Sequence, residues 1–324
     1  MLNFIRQRWF LFALIAVLAG GMFGWRLAQP LADHIPRNVV VAIVMFLMAL
    51  PMETGSMWQA VRRPGPAWLA AVINLGLAPP LGWLAAHVLP AELGTGMMIA
   101  TVVPCTLAAA TVWTRRAGGN DAVAILVTMI TNLGCFLVVP AWLRVFVGDE
   151  AVNGAALDYG ELVRQLLLLV VAPIVVAQLL RQWRAAGTWA DRRKSQLSMV
   201  AQLGILTFVF AGAVRCGVEM QKVTGNQVLN TGNIAILIAM VIVVHLLLLW
   251  IGLSAARALR MERPDAIAVG IAGSQKTIMA GLFLATKFGA LAILPMVAYH
   301  AAQLLLDTLI ADWLRQRGPA TMEP

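Results

Sequence analysis

The sequence predicts an all-α membrane protein: ten transmembrane helices in a 5+5 inverted repeat, with two discontinuous helices, spans four and nine, crossing at the centre. Three observations predict it. Of 324 residues, 60% are hydrophobic and 12% charged, and mean hydropathy is +0.82, where soluble domains run at about 45–50% and about 25%. That composition excludes a soluble globular fold. The apolar residues gather in ten runs near the length of about twenty that crosses about 30 Å of hydrocarbon. The cations are also uneven: with both termini cytoplasmic, sixteen of the 24 Lys and Arg fall on that side, as short cytoplasmic loops require. The net charge of +9 is therefore a topology signal, and no nucleic-acid partner is needed to explain it.

The first half holds Phe10–Trp25, Val39–Met57, Ala67–Leu89, Gly94–Trp113 and Ala122–Phe146. Arg6 and Arg8 precede the first run, but no small-x-small cleavage site follows Gly20–Gly24, so it reads as a retained helix. Pro51 and Glu53 mark the end of the second as an interfacial turn. The third carries Asn74, the fourth Pro104 near its middle, and the fifth Thr128 and Asn132, four residues apart on one helix face. An acidic outer linker, 149–161, with Asp149, Glu150, Asp158 and Glu161, follows the fifth run. It separates a first repeat, 1–148, from a second, 162–316, and residues 317–324 form a cytoplasmic tail. Five spans per repeat is an odd number, so the second repeat is inverted relative to the first.

The second half holds Leu162–Leu180, Leu197–Val214, Ile234–Ala256, Ala266–Ala285 and Ala290–Leu314. Its fourth run contains Gly270, Gly273, Ser274, Gln275, Lys276 and Thr277, polar or helix-weakening residues where hydrocarbon demands apolar ones. Pro104 and Gly273 thus mark breaks at matching places in the two halves, the pattern of two interrupted helices facing a central site. Proline removes a donor and clashes with the carbonyl four residues back, so freed groups there need side chains, water or a solute. Asn74, Thr106, Thr111, Thr128, Asn132, Ser274, Gln275 and Thr277 supply hard oxygen donors for a small cation or a polar solute. Thr128, Thr131 and Asn132 could equally bond neighbouring helices.

Lys276 is the most telling residue, because an ammonium at mid-bilayer is expensive, about 2.5–3.5 kcal/mol on insertion scales, and usually functional. Its charge favours an anionic solute. His245 and His300, in the eighth and tenth spans, are candidates for a proton relay or for helix-to-helix hydrogen bonds. The cysteines, Cys105, Cys135 and Cys216, form no CxxC and have no His nearby, which argues against disulfides and against zinc. No Gly-x-x-x-x-Gly-Lys, His-Glu-x-x-His or Gly-x-Ser-x-Gly occurs, so no ATP-driven or hydrolytic engine is visible and the chain does not read as an enzyme.

Four stretches carry a resemblance: Thr114-Arg-Arg-Ala-Gly-Gly-Asn-Asp-Ala-Val-Ala-Ile125, Pro173-Ile-Val-Val-Ala-Gln-Leu-Leu-Arg181, Gly273-Ser-Gln-Lys-Thr277 and Pro295-Met-Val-Ala-Tyr-His-Ala-Ala-Gln303. With them the chain resembles the bile acid:sodium symporter superfamily, and most its branch of the solute carrier family 10 member 7 type. The resemblance implies a core domain from spans three to five and eight to ten, a panel domain from spans one, two, six and seven, and a secondary-active transporter moving an organic anion by alternating access. It also implies a bound sodium ion as coupling ion, at positions matching Asn74, Thr128, Asn132, Ser274 and Gln275, with Thr106 and Thr111 in looser register. Two departures weaken sodium coupling. Ile271 stands where the family has an acidic ligand, and Lys276 follows Gln275, so both changes make the local potential more positive. Lys276 then replaces the sodium ion or cycles a proton. Pro104-Cys105 also resembles arsenite efflux permeases, which leaves metalloid efflux as an alternative, and a non-transporting membrane sensor or scaffold is another. The expected partners are the lipid bilayer, a small organic anion and a coupling ion, and the expected location is a bacterial inner membrane.

Overall fold

The computed structural model describes residues 9–317 except 54, 56, 149–150, 153–154, 157 and 223–226. Arg6, Arg8, Asp149, Glu150 and the tail beyond Arg317 lie outside the described residues. The first half forms α1 (Trp9–Phe23), α2 (Trp25–Asp33), α3 (Arg37–Ala49), α4 (Met57–Arg62), α5 (Gly65–Ala86), α6 (Ala91–Val102), α7 (Ala109–Arg116) and α8 (Asp121–Val147). The second forms α9 (Tyr159–Arg181), α10 (Arg184–Arg192), α11 (Lys194–Met220), α12 (Thr231–Ala258), α13 (Arg263–Ser274), α14 (Ile278–Phe288) and α15 (Ile293–Gln316).

Seven of these segments are long and apolar enough to cross a membrane, counting α13 with α14 as one, and α1 with α2 makes an eighth. Each of the ten predicted runs is mainly helical, but four depart from a plain span, the ninth because residues 275–277 separate α13 from α14. The first bends by 104° at Gly24, where a Cβ would lie 2.6 Å from the Gly20 carbonyl. The second ends at Ala49 and not at Met57, because Pro51 has no N–H with which to continue the ladder. The fourth is split into α6 and α7 by the non-helical residues 103–108.

Side-chain caps start three of the long helices. Asn120 Oδ1 accepts from the N–H groups of Ala122 and Val123 at α8, Asp158 does the same for Glu161 at α9, and Asn230 for Asn233 at α12. Both π-turns, Val72–Leu77 in α5 and Leu167–Val171 in α9, end two residues before a proline, Pro79 or Pro173. The wider turn relieves the clash that a proline ring makes with the preceding backbone.

Packing centres on two groups, which meet where α8 lies against α9 and α14 against α3 and α11. In one, α11 lies against α1, α2 and α3, and α3 also packs on α9. In the other, α12 packs on α13 and α15, α13 on α5, α7 and α8, and α6 on the second half of α5 and on α15. Residues 266–285 of the α13–α14 pair are all buried, whereas only 28% of the apolar window in α9 and 33% of that in α12 are buried. Glycine permits the closest approach: a Cβ on Gly252 of α12 would sit 2.8 Å from the Gly270 Cα of α13.

Candidate functional site

The two breaks meet in the buried interior. Val103, Gln275 and Thr277 have extended backbone, so their peptide groups point sideways and not along a helix. Thr277 N–H donates to the Pro104 carbonyl at 2.9 Å, which joins one break to the other. The following carbonyls each find a separate donor. Asn132 Nδ2 donates to Cys105 O at 2.8 Å, and Thr128 Oγ1 to Thr106 O at 3.1 Å. These are the two α8 residues that the four-residue spacing placed on one face.

The carbonyl before them, Val103 O, accepts from Lys276 Nζ at 3.0 Å, and Asn74 O accepts from the same ammonium at 2.6 Å. The sequence explains why Asn74 O is free. Ala78 N–H bonds Ile73 O across the π-turn, and the next two residues, Pro79 and Pro80, have no N–H to offer. Leu75 O loses its partners for the same reason and takes Trp142 Nε1 instead, at 2.7 Å. A wholly buried ammonium therefore sits among carbonyls that helix breaks and prolines set free.

Asn74, Thr128, Asn132, Ser274, Gln275 and Lys276 are wholly buried, and Thr106 and Thr277 nearly so. Asn74 Nδ2 faces the carbonyls of Ala272, Gly273 and Gln275, at 2.8 Å for the last. Ser274 Oγ donates back to Ile271 O. The Thr111 hydroxyl is buried in α7 without a hydrogen-bond partner among the described residues, so Thr111 does not join this layer of bonds. The two histidines are not linked to each other: His245 pairs with Asp307, and His300 with Gln303. Cys105, Cys135 and Cys216 are each buried and free, and no group of three metal-binding side chains occurs among the described residues.

Two central residues were missed by sequence reasoning. Gln303 clamps the extended Lys276 backbone, its Oε1 accepting from Lys276 N and its Nε2 donating to Lys276 O, both at 2.9 Å. Asp307 is wholly buried and accepts from Gln275 Nε2 at 2.6 Å and from His245 Nε2 at 2.9 Å. Gln275 Oε1 in turn accepts from Thr106 Oγ1 at 2.8 Å. The available signal was positional: Tyr299, His300, Gln303 and Asp307 fall at helical spacing along one side of α15.

A crevice of about 540 Å³ reaches this layer from the end where α7 stops and α11 begins. Thr106, Thr277 and His300 are among its lining residues, with apolar walls from Phe10, Met48 and Ile205 and with Lys194 and Ser198 of α11. A second crevice, about 340 Å³, lies at the opposite end of α11, between Asp33, Arg215, Glu219 and Thr286.

A profile of the SBF-like CPA transporter family matches residues 8–316. The chain belongs to that family. It is similar to sodium/bile acid cotransporter 7-A of Xenopus laevis, 21% identical over 341 positions, covering 99% of this chain and 96% of the relative. Against probable sodium/metabolite cotransporter BASS4, chloroplastic, of Arabidopsis thaliana it is 25% identical over 296 positions, covering 86% and 66%. Sodium/bile acid cotransporter 7 of Rattus norvegicus is 21% identical over 349 positions, covering 100% and 99%. Membership makes the chain an integral membrane transporter and agrees with its apolar helices.

Within this SBF-like chain the carbonyls of residues 103–106 and both polar atoms of Gln275 each hold a hydrogen bond, while Asn132 Oδ1 is buried without a partner among the described residues. A fixed cation, Lys276, stands among them.

Proposed function

We propose that the protein is a secondary-active transporter of a small organic anion, working by alternating access. In this reading α5–α8 and α12–α15 form the core, built of inverted halves with spans four and nine as its broken helices, and α1–α3, α9 and α11 form the panel. The two packing groups and the crevices at opposite ends of α11 support such a division. The observation that carries the reading is the Lys276 ammonium, held by Asn74 O and Val103 O where two interrupted helices meet. A tethered cation in that place supplies the positive charge that a bound ion otherwise brings, and favours an anion in the adjoining crevice.

Coupling then does not run through sodium at this site. The test is uptake of labelled organic anions into liposomes holding the purified protein, with a sodium gradient or a proton gradient imposed. Accumulation driven by the proton gradient and indifferent to sodium supports the reading. Accumulation that follows sodium, or no uptake of any anion under either gradient, refutes it.

A further inference from the structure

The connection between α9 and α11 carries α10, whose two sides differ sharply. Gly187 and Ala190 are buried against the protein, and α10 packs chiefly on α9 and α11. Arg184, Thr188 and Arg192 stand four residues apart, as do Ala185, Trp189 and Arg193, so the six form two adjoining stripes on the outward side. Together they line an open groove of about 480 Å³. No acidic side chain is among them. The one carboxylate of α10, Asp191, is engaged elsewhere: it pairs with Arg181 at the end of α9, at 2.7 Å. Among the described residues no carboxylate pairs with Arg184 or Arg192. Arg193 lies over the Trp189 ring at 5.9 Å and donates to Gln196 Oε1 at 2.9 Å.

Chain geometry sets the depth of this groove. Both α9 and α11 are long and apolar enough to cross a membrane, and the nine-residue α10 joins the end of one to the start of the other. It therefore lies where hydrocarbon gives way to headgroups. Trp183 and Trp189, 73% and 49% exposed, are the aromatic residues that favour that level. Arg181 Nη1 donates to Leu50 O just beyond α3, and Lys194 lines the crevice at the end of α7. The groove thus sits at the end of the molecule to which the sequence gives sixteen of its 24 Lys and Arg.

We propose that the α10 groove binds the headgroup of an anionic phospholipid, its phosphate among Arg184, Arg192 and Arg193 and its glycerol backbone against Trp189. A guanidinium bonds two phosphate oxygens at once, which suits arginine to this anion. A zwitterionic lipid offers the same phosphate but brings an ammonium beside three cations, so it binds less well. A soluble phosphate lacks the acyl chains that hold a lipid at this depth. Because α10 packs chiefly on α9 and α11, the bound lipid fixes that pair of helices at the headgroup layer. The proposal goes beyond the transport reading and requires no particular solute.

The experiment uses the full chain in detergent, titrated with dioctanoyl phosphatidylglycerol and, separately, with dioctanoyl phosphatidylcholine, the bound lipid being counted by native mass spectrometry. Wild type should bind phosphatidylglycerol about tenfold more tightly than phosphatidylcholine. Arg192→Gln should weaken phosphatidylglycerol about fivefold, the effect of one cation at a membrane surface. The triple variant Arg184→Gln/Arg192→Gln/Arg193→Gln should lose the preference altogether. Arg62→Gln/Arg63→Gln, which removes two arginines outside the groove, should bind as the wild type does. A triple variant that keeps the preference, or a control that loses as much as the triple variant, overturns the proposal. Inorganic phosphate and glycerol 3-phosphate are the free-anion probes. Neither should displace phosphatidylglycerol at equal concentration, and displacement by either would make the ligand a soluble phosphate and overturn the lipid assignment. Where the triple variant does not fold, Arg192→Gln and Trp189→Ala decide the same question, and unchanged phosphatidylglycerol affinity in both overturns the proposal.

Discussion

Replacing Lys276 by Met keeps most of the side-chain volume and removes the ammonium. Asn74 O and Val103 O, bonded at 2.6 and 3.0 Å in the wild type, then have no donor in a site that solvent does not reach. An orphaned buried acceptor costs about 1–3 kcal/mol, so the pair costs about 2–6 kcal/mol. Part is offset because a charge no longer has to be buried. Usually a buried charge and its partner can be replaced together by apolar groups. Here the partners are main-chain carbonyls that Pro79, Pro80 and the α6 break have already stripped of other donors, and no side-chain change removes them. We expect a net loss of about 2–4 kcal/mol, seen as a fall of about 5–10 °C in thermal unfolding. The assay is tryptophan fluorescence of the detergent-purified protein, which has 11 Trp. A Lys276→Met protein that melts at or above the wild-type temperature would falsify the claim that the ammonium satisfies these carbonyls.

Other outcomes follow from the same geometry. Gln303→Leu orphans both backbone groups of Lys276 and should cost about 2–4 kcal/mol, read by the same melting experiment; an unchanged melting temperature contradicts the clamp. Gly252→Ala drives a methyl to 2.8 Å from Gly270 Cα and should destabilise by about 1–3 kcal/mol, since neither backbone can yield cheaply. Asn120→Ala removes the α8 cap and the 2.8 Å bond to Asp265 on α13, for about 1–2 kcal/mol; Asp265→Ala in that background should then add little. Replacing sodium by choline should leave the wild-type melting temperature unchanged, and a sodium-specific rise would show that the carbonyls accept the ion after all.

The helical fold was legible in composition and run length because hydrocarbon leaves the backbone few alternatives. The breaks were legible because Pro104 and the Gly273–Thr277 stretch contradict their surroundings. Asn74, Thr106, Thr128, Asn132, Ser274, Gln275 and Lys276 do share one buried layer. What the residues did not reveal was who bonds whom. Thr128 and Asn132 read either as oxygen ligands or as bonds to a neighbouring helix, and in the structure both donate to carbonyls of the α6–α7 break. Asp307 was hidden by its neighbours, since Asp312 and Arg315 five and eight residues on make the end of that run resemble an interface. The π-turn before Pro79 and Pro80 decides the availability of Asn74 O, and hydropathy carries no trace of it.

The burial of every residue from 266 to 285 in α13 and α14 bears on how the chain is made. Its polar stretch, with Gln275 and Lys276, is synthesised before α15 brings Gln303 and Asp307 to receive it. A nascent chain stopped short of residue 293 would leave the Lys276 backbone and the Gln275 amide without Gln303 and Asp307, at a depth where unpaired polar groups are costly. Integration of this hairpin is therefore tied to the arrival of the last helix, and C-terminal truncations should be cleared by quality control, not left in the bilayer as partly active carriers.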